Sequence, residues 1–281
     1  MTHGYALANG IRLHYVEQGT GPLVILLHGF PDFWYSWRDQ IPALAAAGYR
    51  VVAPDLRGYN ESERPLGIDA YRLDTLAADV ASLVLALGAE HATIVGHDWG
   101  GVVAWHVAMH HPAVVTSLVI MNAPHPRAFR RELKRGWSQR KRSWYIAFFQ
   151  LPWLPEALIN AGNRWLLRRV LRRGGPARND AELAKYVTAF AGQDAMTAAI
   201  NYYRALVQRP SQRPVTIECP TLLVWGMRDR FLLPALTEGL EAWVTRLEHH
   251  QEPQARHWVQ HDAAASVNAR LLTFLSQHAS A

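Results

Sequence analysis

Five short runs of mostly branched apolar residues, at 23–27, 49–53, 93–95, 118–121 and 222–225, are each closed by Gly, Pro or Asp within a few positions. Nearly continuous apolar runs of this length suit strands buried on both faces, the kind found in parallel sheets. Between two of them, Leu73, Leu76, Ala77, Val80, Leu83, Val84 and Leu87 recur at helical spacing across residues 71–87. A second helical stretch, 101–110, is stopped by Pro112. Strand alternating with helix predicts an α/β fold with a mostly parallel central sheet flanked by helices. At the amino-terminal end, Tyr5-Ala6-Leu7 and residues 11–15 flank Asn9-Gly10, a turn pair suited to positive φ, and predict a hairpin.

This rhythm stops after Asn122-Ala123-Pro124. From His125 to Arg213 the chain is helical in pattern, basic and Trp-rich, with no clear buried strand. Pro210 and Pro214 punctuate the return to a strand at 220–226. An insertion between two strands, above their carboxyl ends, covers the place where open α/β sheets bind ligands. The expected organisation is a core formed by 1–124 and 215–281, with an inserted helical cap at 125–214. No internal repeat or low-complexity tract interrupts it.

Composition narrows the classes. Hydrophobic residues make up 49% of the 281 and charged residues 19%, which supports a large core and excludes a disordered chain. The net charge of +6 is local, since 125–214 holds 18 Arg and Lys against 5 Asp and Glu. Arg130-Arg131, Lys134-Arg135 and Arg168-Arg169 alternate with apolar residues, as on a solvated helix face, and no nucleic-acid motif accompanies them. A nucleic-acid partner is therefore not expected. The eleven Trp suit either an apolar pocket or packing between domains. Cys219 alone cannot form an internal disulfide, no signal-peptide pattern opens the chain, and no apolar run spans a bilayer. A cytoplasmic protein without a membrane partner is expected.

The residues that carry chemistry centre on Gly96-His97-Asp98-Trp99-Gly100-Gly101, between a buried run and a helix. In Gly-x-Ser-x-Gly enzymes this tight turn lifts a nucleophile above the sheet. Here the nucleophile position holds a carboxylate. A carboxylate is poor at attacking esters and amides but can displace at a strained or activated sp³ carbon, leaving an ester that water must cleave. In this fold an acid and then a histidine follow the nucleophile. Asp229, just past the run 222–225, and His257, near the end, fill that order. An imidazole held by an acid can take a proton from water. His249, His250 and His261 are the rival histidines, and Asp262 is the rival acid. The turn Leu27-His28-Gly29-Phe30-Pro31 can offer the Phe30 backbone N–H to an oxyanion, with the Trp99 N–H as the second donor. Adjacent pairs such as His110-His111 and His249-His250 lack ligand spacing, so neither a metal nor another cofactor is expected.

Together, His28-Gly29-Phe30-Pro31, Gly96-His97-Asp98-Trp99-Gly100-Gly101, the strand-end Asp229 and His257-Trp258 resemble the epoxide hydrolases of the α/β-hydrolase fold. The resemblance runs from the hairpin to His257. It implies a covalent ester on Asp98, an apolar small-molecule epoxide as substrate and a vicinal diol as product. In that family two cap tyrosines bind the epoxide oxygen. The match of 144–152 to the first cap motif carries over to Tyr145, and that of 200–204 to the second carries over to Tyr203, the Tyr directly before Arg204, with adjacent Tyr202 as its rival. An alkoxide leaving group needs such an acid, and a phenol supplies one.

Ala255-Arg256 before His257 replaces a small Gly-containing pair, and the cap is more basic than its role requires. The lack of an anchor or preceding domain implies a bacterial type of enzyme. A haloalkane dehalogenase would share the Asp-Trp elbow but typically has Asn where Phe30 stands. A haloacetate dehalogenase would place Arg after the nucleophile, where Trp99 stands. A non-catalytic binding module has no need of Asp98, Asp229 and His257 together. The family leaves the oligomeric state open, a homodimer included.

Overall fold

The computed structural model describes residues 1–172, 175, 179–192, 194–209 and 212–278. Strands β1 (Thr2–Ala8) and β2 (Ile11–Gln18) form the expected antiparallel hairpin, with Asn9 and Gly10 at φ of 48° and 77°. There follow β3 (Leu23–Leu27), α1 (Gln40–Ala46), β4 (Arg50–Pro54), α2 (Leu73–Ala86), β5 (Ala92–His97), α3 (Trp99–His110) and β6 (Val115–Met121). Six helices then intervene: α4 (Pro126–Arg135), α5 (Trp137–Arg142), α6 (Trp144–Phe148), α7 (Leu154–Arg172), α8 (Asp180–Ala189) and α9 (Ala195–Gln208). Helix α7 is broken at 161–164, where Gly162, Asn163 and Arg164 take positive φ. The chain returns through β7 (Thr221–Gly226) and β8 (Leu247–Glu252) and ends in α10 (Val259–Asp262) and α11 (Ala264–His278).

The strands make one eight-stranded sheet in the order β1-β2-β4-β3-β5-β6-β7-β8, parallel from β4 to β8 and antiparallel only at the β1–β2–β4 edge. The continuous apolar runs have a direct structural cause. In β3 all five residues are buried. Leu23, Ile25 and Leu27 face one apolar cluster with α2 and α3, while Val24 and Leu26 face the other with α1 and α11. Burying each such side chain contributes roughly 1.5–3 kcal/mol, so both layers are needed to hold the sheet. The carboxyl ends of β3, β5, β6 and β7 lead into His28, Asp98, Asn122 and the loop bearing Asp229, which gathers the site on one edge of the sheet.

One strand was not foreseen, and one expectation needs correction. Strand β8 has no apolar run: Leu-Glu-His-His-Gln-Glu lies at the open edge, pairs only with β7, and carries His249 and His250. The basic residues of 125–214 are also not simply a solvated face. Lys134, Arg135 and Arg169 are exposed, but Arg131 donates to the backbone oxygens of Ala235 and Glu238, and Arg142 donates to that of Asp229. A guanidinium has several donors, and here they satisfy carbonyls across the helix–sheet boundary. Pro210, one of the two prolines read as marking the return to the sheet, lies outside the described residues. No helix among the described residues is long and apolar enough to cross a membrane.

Candidate active site

Asp98 stands between β5 and α3 with φ 50° and ψ −120°, a conformation that costs a non-glycine residue about 1–3 kcal/mol. Close packing holds it there. A Cβ added at Gly100 would lie 2.1 Å from the Leu27 oxygen, and one added at Gly29 would lie 2.4 Å from the Asp98 Cβ. Glycine at both positions lets the β3 loop and the first turn of α3 close on the carboxylate.

That closure sets the polar contacts. The Phe30 N–H donates to Asp98 Oδ1 at 2.9 Å, and Asp98 Oδ2 lies 3.4 Å from His257 Nε2. Trp99 is the first residue of α3, whose opening N–H groups have no partner within the helix. On its other side, His257 Nδ1 meets Asp229 Oδ2 at 2.7 Å, so Nδ1 carries the proton and Nε2 faces Asp98. Asp229 is itself fully engaged: Phe231 and Leu232 N–H groups donate to Oδ1, and Asn122 Nδ2 donates to Oδ2.

The electrostatics follow from these contacts. Burial disfavours a charged His257, yet the Asp229 and Asp98 carboxylates outweigh it and raise its pKa to about 10. Burial would raise Asp98, but His257 and the Phe30 N–H hold it below the usual carboxylate range. Asp229 is likewise lowered against its burial by His257 and its hydrogen-bond donors. The resting triad is thus carboxylate, imidazolium, carboxylate.

Tyr145 and Tyr203 come from α6 and α9 and meet with ring centroids 5.8 Å apart. Both line a cavity of about 1150 Å³ together with Asp98 and Trp99. Burial and then the Asp98 charge raise both phenols, so they stay protonated. The rival Tyr202 is turned away and donates to the Arg57 backbone oxygen at 2.7 Å. The other rivals are also displaced: His249 and His250 lie on β8, His261 lies 3.3 Å from Ser36 Oγ, and Asp262 pairs with Arg256 at 2.7 Å. The pair Ala255-Arg256 packs over the end of β7, its Arg256 oxygen close above Gly226.

Several supporting residues escaped the sequence reading. Asn122, at φ 39° just past β6, accepts from the Gly226 N–H and donates to Asp229. Its one signal is its place directly after a buried run, level with the other strand ends. Buried His97 donates from Nε2 to the His257 backbone oxygen, and burial lowers its pKa to about 3. Gln139 of α5 bonds both the Phe231 oxygen and the Leu233 N–H, which ties the helical segment to the acid loop. Far from Asp98, His3, His14 and Glu61 bring donor atoms within 4.8 Å of one another at the β1–β2 edge. There His14 is already bonded to Asp55 and His3. Adjacent-pair spacing could not reveal such a group, since it joins two strands and a loop.

A family model described as the alpha/beta hydrolase fold matches residues 22–264. The AB hydrolase superfamily protein YfhM of Bacillus subtilis (strain 168) is 41% identical over 276 residues, covering 95% of each chain. Epoxide hydrolase 4 of Homo sapiens is 36% identical over 290 residues, covering 98% of this chain and 79% of its own length. Among solved structures, a Bacillus megaterium epoxide hydrolase in complex with an inhibitor matches with a TM-score of 0.91 and 31% identity, over 97% of this chain and 100% of the other. On matches that run nearly its whole length, the chain belongs to the α/β-hydrolase fold family, among its epoxide hydrolases.

Proposed function

We propose that the protein hydrolyses epoxides to vicinal diols through an ester on Asp98, beneath a cap formed by residues 125–214. The observation that carries this reading is the meeting, in one cavity, of a carboxylate held ionised with two phenols held protonated.

Phe30 holds Asp98 Oδ1, which leaves Oδ2 to attack an epoxide carbon. The carbon–oxygen bond of the ring breaks as Tyr145 or Tyr203 gives its proton to the departing oxygen. Ester formation removes the Asp98 charge, one of the groups that raises His257. The imidazolium therefore becomes more acidic at the moment a base is required, and its proton passes to the tyrosinate to restore the phenol. Neutral His257, oriented by Asp229, then takes a proton from water as the water oxygen attacks the ester carbonyl. The developing oxyanion at Oδ1 sits on the Phe30 N–H and, we propose, the Trp99 N–H. Collapse restores Asp98 and passes the second water proton to the departing oxygen of the diol, while the first stays on His257 and returns it to the resting imidazolium. Water is the only co-reactant.

The test is His257→Gln mixed with an aryl epoxide and examined by intact-mass spectrometry. A stable adduct of substrate mass is expected, absent from Tyr145→Phe/Tyr203→Phe. Halide release from a haloalkane without diol formation from the epoxide would move the reading to a dehalogenase.

A further inference from the structure

The hairpin edge of the sheet gathers donor atoms that the proposed reaction does not use. In the β1–β2 register Tyr5 pairs with His14 and His3 with Val16, so His3, Tyr5 and His14 share one face. The loop after β4 folds over that face and brings Asp55 and Ser62 to His14, and Glu61 to Tyr5. One nitrogen from each histidine and a Glu61 carboxylate oxygen lie within 4.8 Å of one another, the one such group of three donors among the described residues.

What stands behind the histidines sets them for a metal. His14 is fully buried, and its Nδ1 lies 2.6 Å from Asp55 Oδ2. Asp55 also accepts from the Trp34 N–H and from Asn60 Nδ2, which fix it in place. The His14 proton is therefore on Nδ1, and the Nε2 lone pair is aimed at His3 Nδ1, 2.9 Å away. A carboxylate behind an imidazole in this order orients metal-ligating histidines and strengthens them as donors. Tyr5 orients the third donor by giving its O–H to Glu61 Oε2 at 2.6 Å. Donors at about 2.0–2.1 Å from a tetrahedral zinc stand about 3.3 Å apart. The histidine pair must open slightly to reach that spacing and the carboxylate must close in. Both moves fall to exposed side chains, His3 and Glu61, while buried His14 stays fixed.

We propose that His3, His14 and Glu61 bind a divalent transition-metal ion of the zinc kind, which clasps β1 and β2 to the loop after β4. Without the metal, a single proton on His3 Nδ1 bridges the two nitrogens. The ion takes the place of that proton, which moves to His3 Nε2. The fourth position of a tetrahedral zinc falls to water. Two imidazoles and one carboxylate favour zinc or cobalt over magnesium or calcium, which prefer oxygen donors throughout. The site is independent of the epoxide reading, since it shares no residue with the triad or the helical cap.

The test uses untagged protein, stripped with a chelator and titrated with zinc chloride by calorimetry and with cobalt chloride by visible absorption. One zinc per chain is expected, undisturbed by excess magnesium, and cobalt should give the intense bands of a tetrahedral site. His3→Ala and Glu61→Gln, both at exposed positions, should each weaken zinc binding at least about tenfold, as loss even of an outer partner does. Zinc should also slow hydrogen exchange in peptides spanning β1 of the wild type, and leave those of His3→Ala unchanged. Absence of zinc binding, or an affinity unchanged in His3→Ala/Glu61→Gln, would overturn the proposal. So would loss of binding from His249→Ala/His250→Ala on β8, where His250 meets Glu252 at 2.9 Å.

Discussion

His257 faces two carboxylates at once, and that fact controls the pH behaviour to be expected. In the resting protein its pKa is raised to about 10, so it is charged throughout the neutral range. Under the proposed mechanism, esterification of Asp98 would remove one partner and lower that pKa. As pH falls, more of the esterified protein carries an imidazolium that cannot accept a proton from water. The steady-state fraction of ester should therefore grow as pH falls from 9 towards 6, as read by quenched intact-mass measurements. Ring opening should hold over the same span, because Asp98 is lowered and both tyrosines are raised. A constant ester fraction would show that His257 is not the group that titrates. The positions of Asp98, Asp229 and His257 were legible because motif and chain order constrain them. The assignment of Tyr203 over Tyr202 came from the family motif, and helix register supplies its physical reason: adjacent residues on α9 face about 100° apart, one to the cavity and one to Arg57. Asn122 offered only its place after a buried run, since its partner Asp229 is brought to it by β6 pairing with β7.

The acid loop is held from outside the sheet. Gln139 of α5 is buried and donates to Ser143 Oγ and the Phe231 oxygen, while its own oxygen accepts from the Leu233 N–H. Gln139→Leu keeps the apolar volume but leaves both loop groups unpaired, which costs about 1–3 kcal/mol. A lowered urea midpoint is expected, together with slower ester hydrolysis relative to ester formation in single-turnover kinetics. Loss of stability with both steps unchanged would leave Gln139 a purely structural tie. Strand β3 was readable because its neighbours on both sides are apolar, and α2 because one buried face repeats at helical spacing. Strand β8 was not: an edge strand needs only backbone pairing, and Leu-Glu-His-His-Gln-Glu can offer that with hardly an apolar side chain. The basic helices were read only in part, for a related reason. Charge patterning cannot distinguish a guanidinium in water from one capping carbonyls of a neighbouring layer, as Arg131 and Arg142 do.

For the molecule as a whole, the alternation of strand and helix was enough to foresee a parallel sheet clothed on both sides. It could not yield the strand order, which depends on long-range pairing. That order puts β3, β5 and β6 at the centre, with neighbours on both sides and buried residues on both faces. Stability should be distributed accordingly. Hydrogen exchange followed by mass spectrometry is expected to be slowest in peptides from these strands and fastest among helical peptides around 161–164, where α7 loses its helical backbone. Uniform protection across the two regions would mean that helices and sheet open only together.

The grip of Phe30 on Asp98 Oδ1 has a further consequence under the ester mechanism. It makes the two carboxylate oxygens unequal before any substrate arrives. The oxygen that attacks leaves in the diol, and the oxygen of the cleaving water takes its place. In isotopically heavy water the first diol would carry none of the new oxygen, and each later diol would carry the atom installed one cycle before. Oδ1, never released from its amide, would remain the atom put there when the chain was made. Asp98 would thus be a nucleophile renewed by half at every cycle, with a memory one turnover deep.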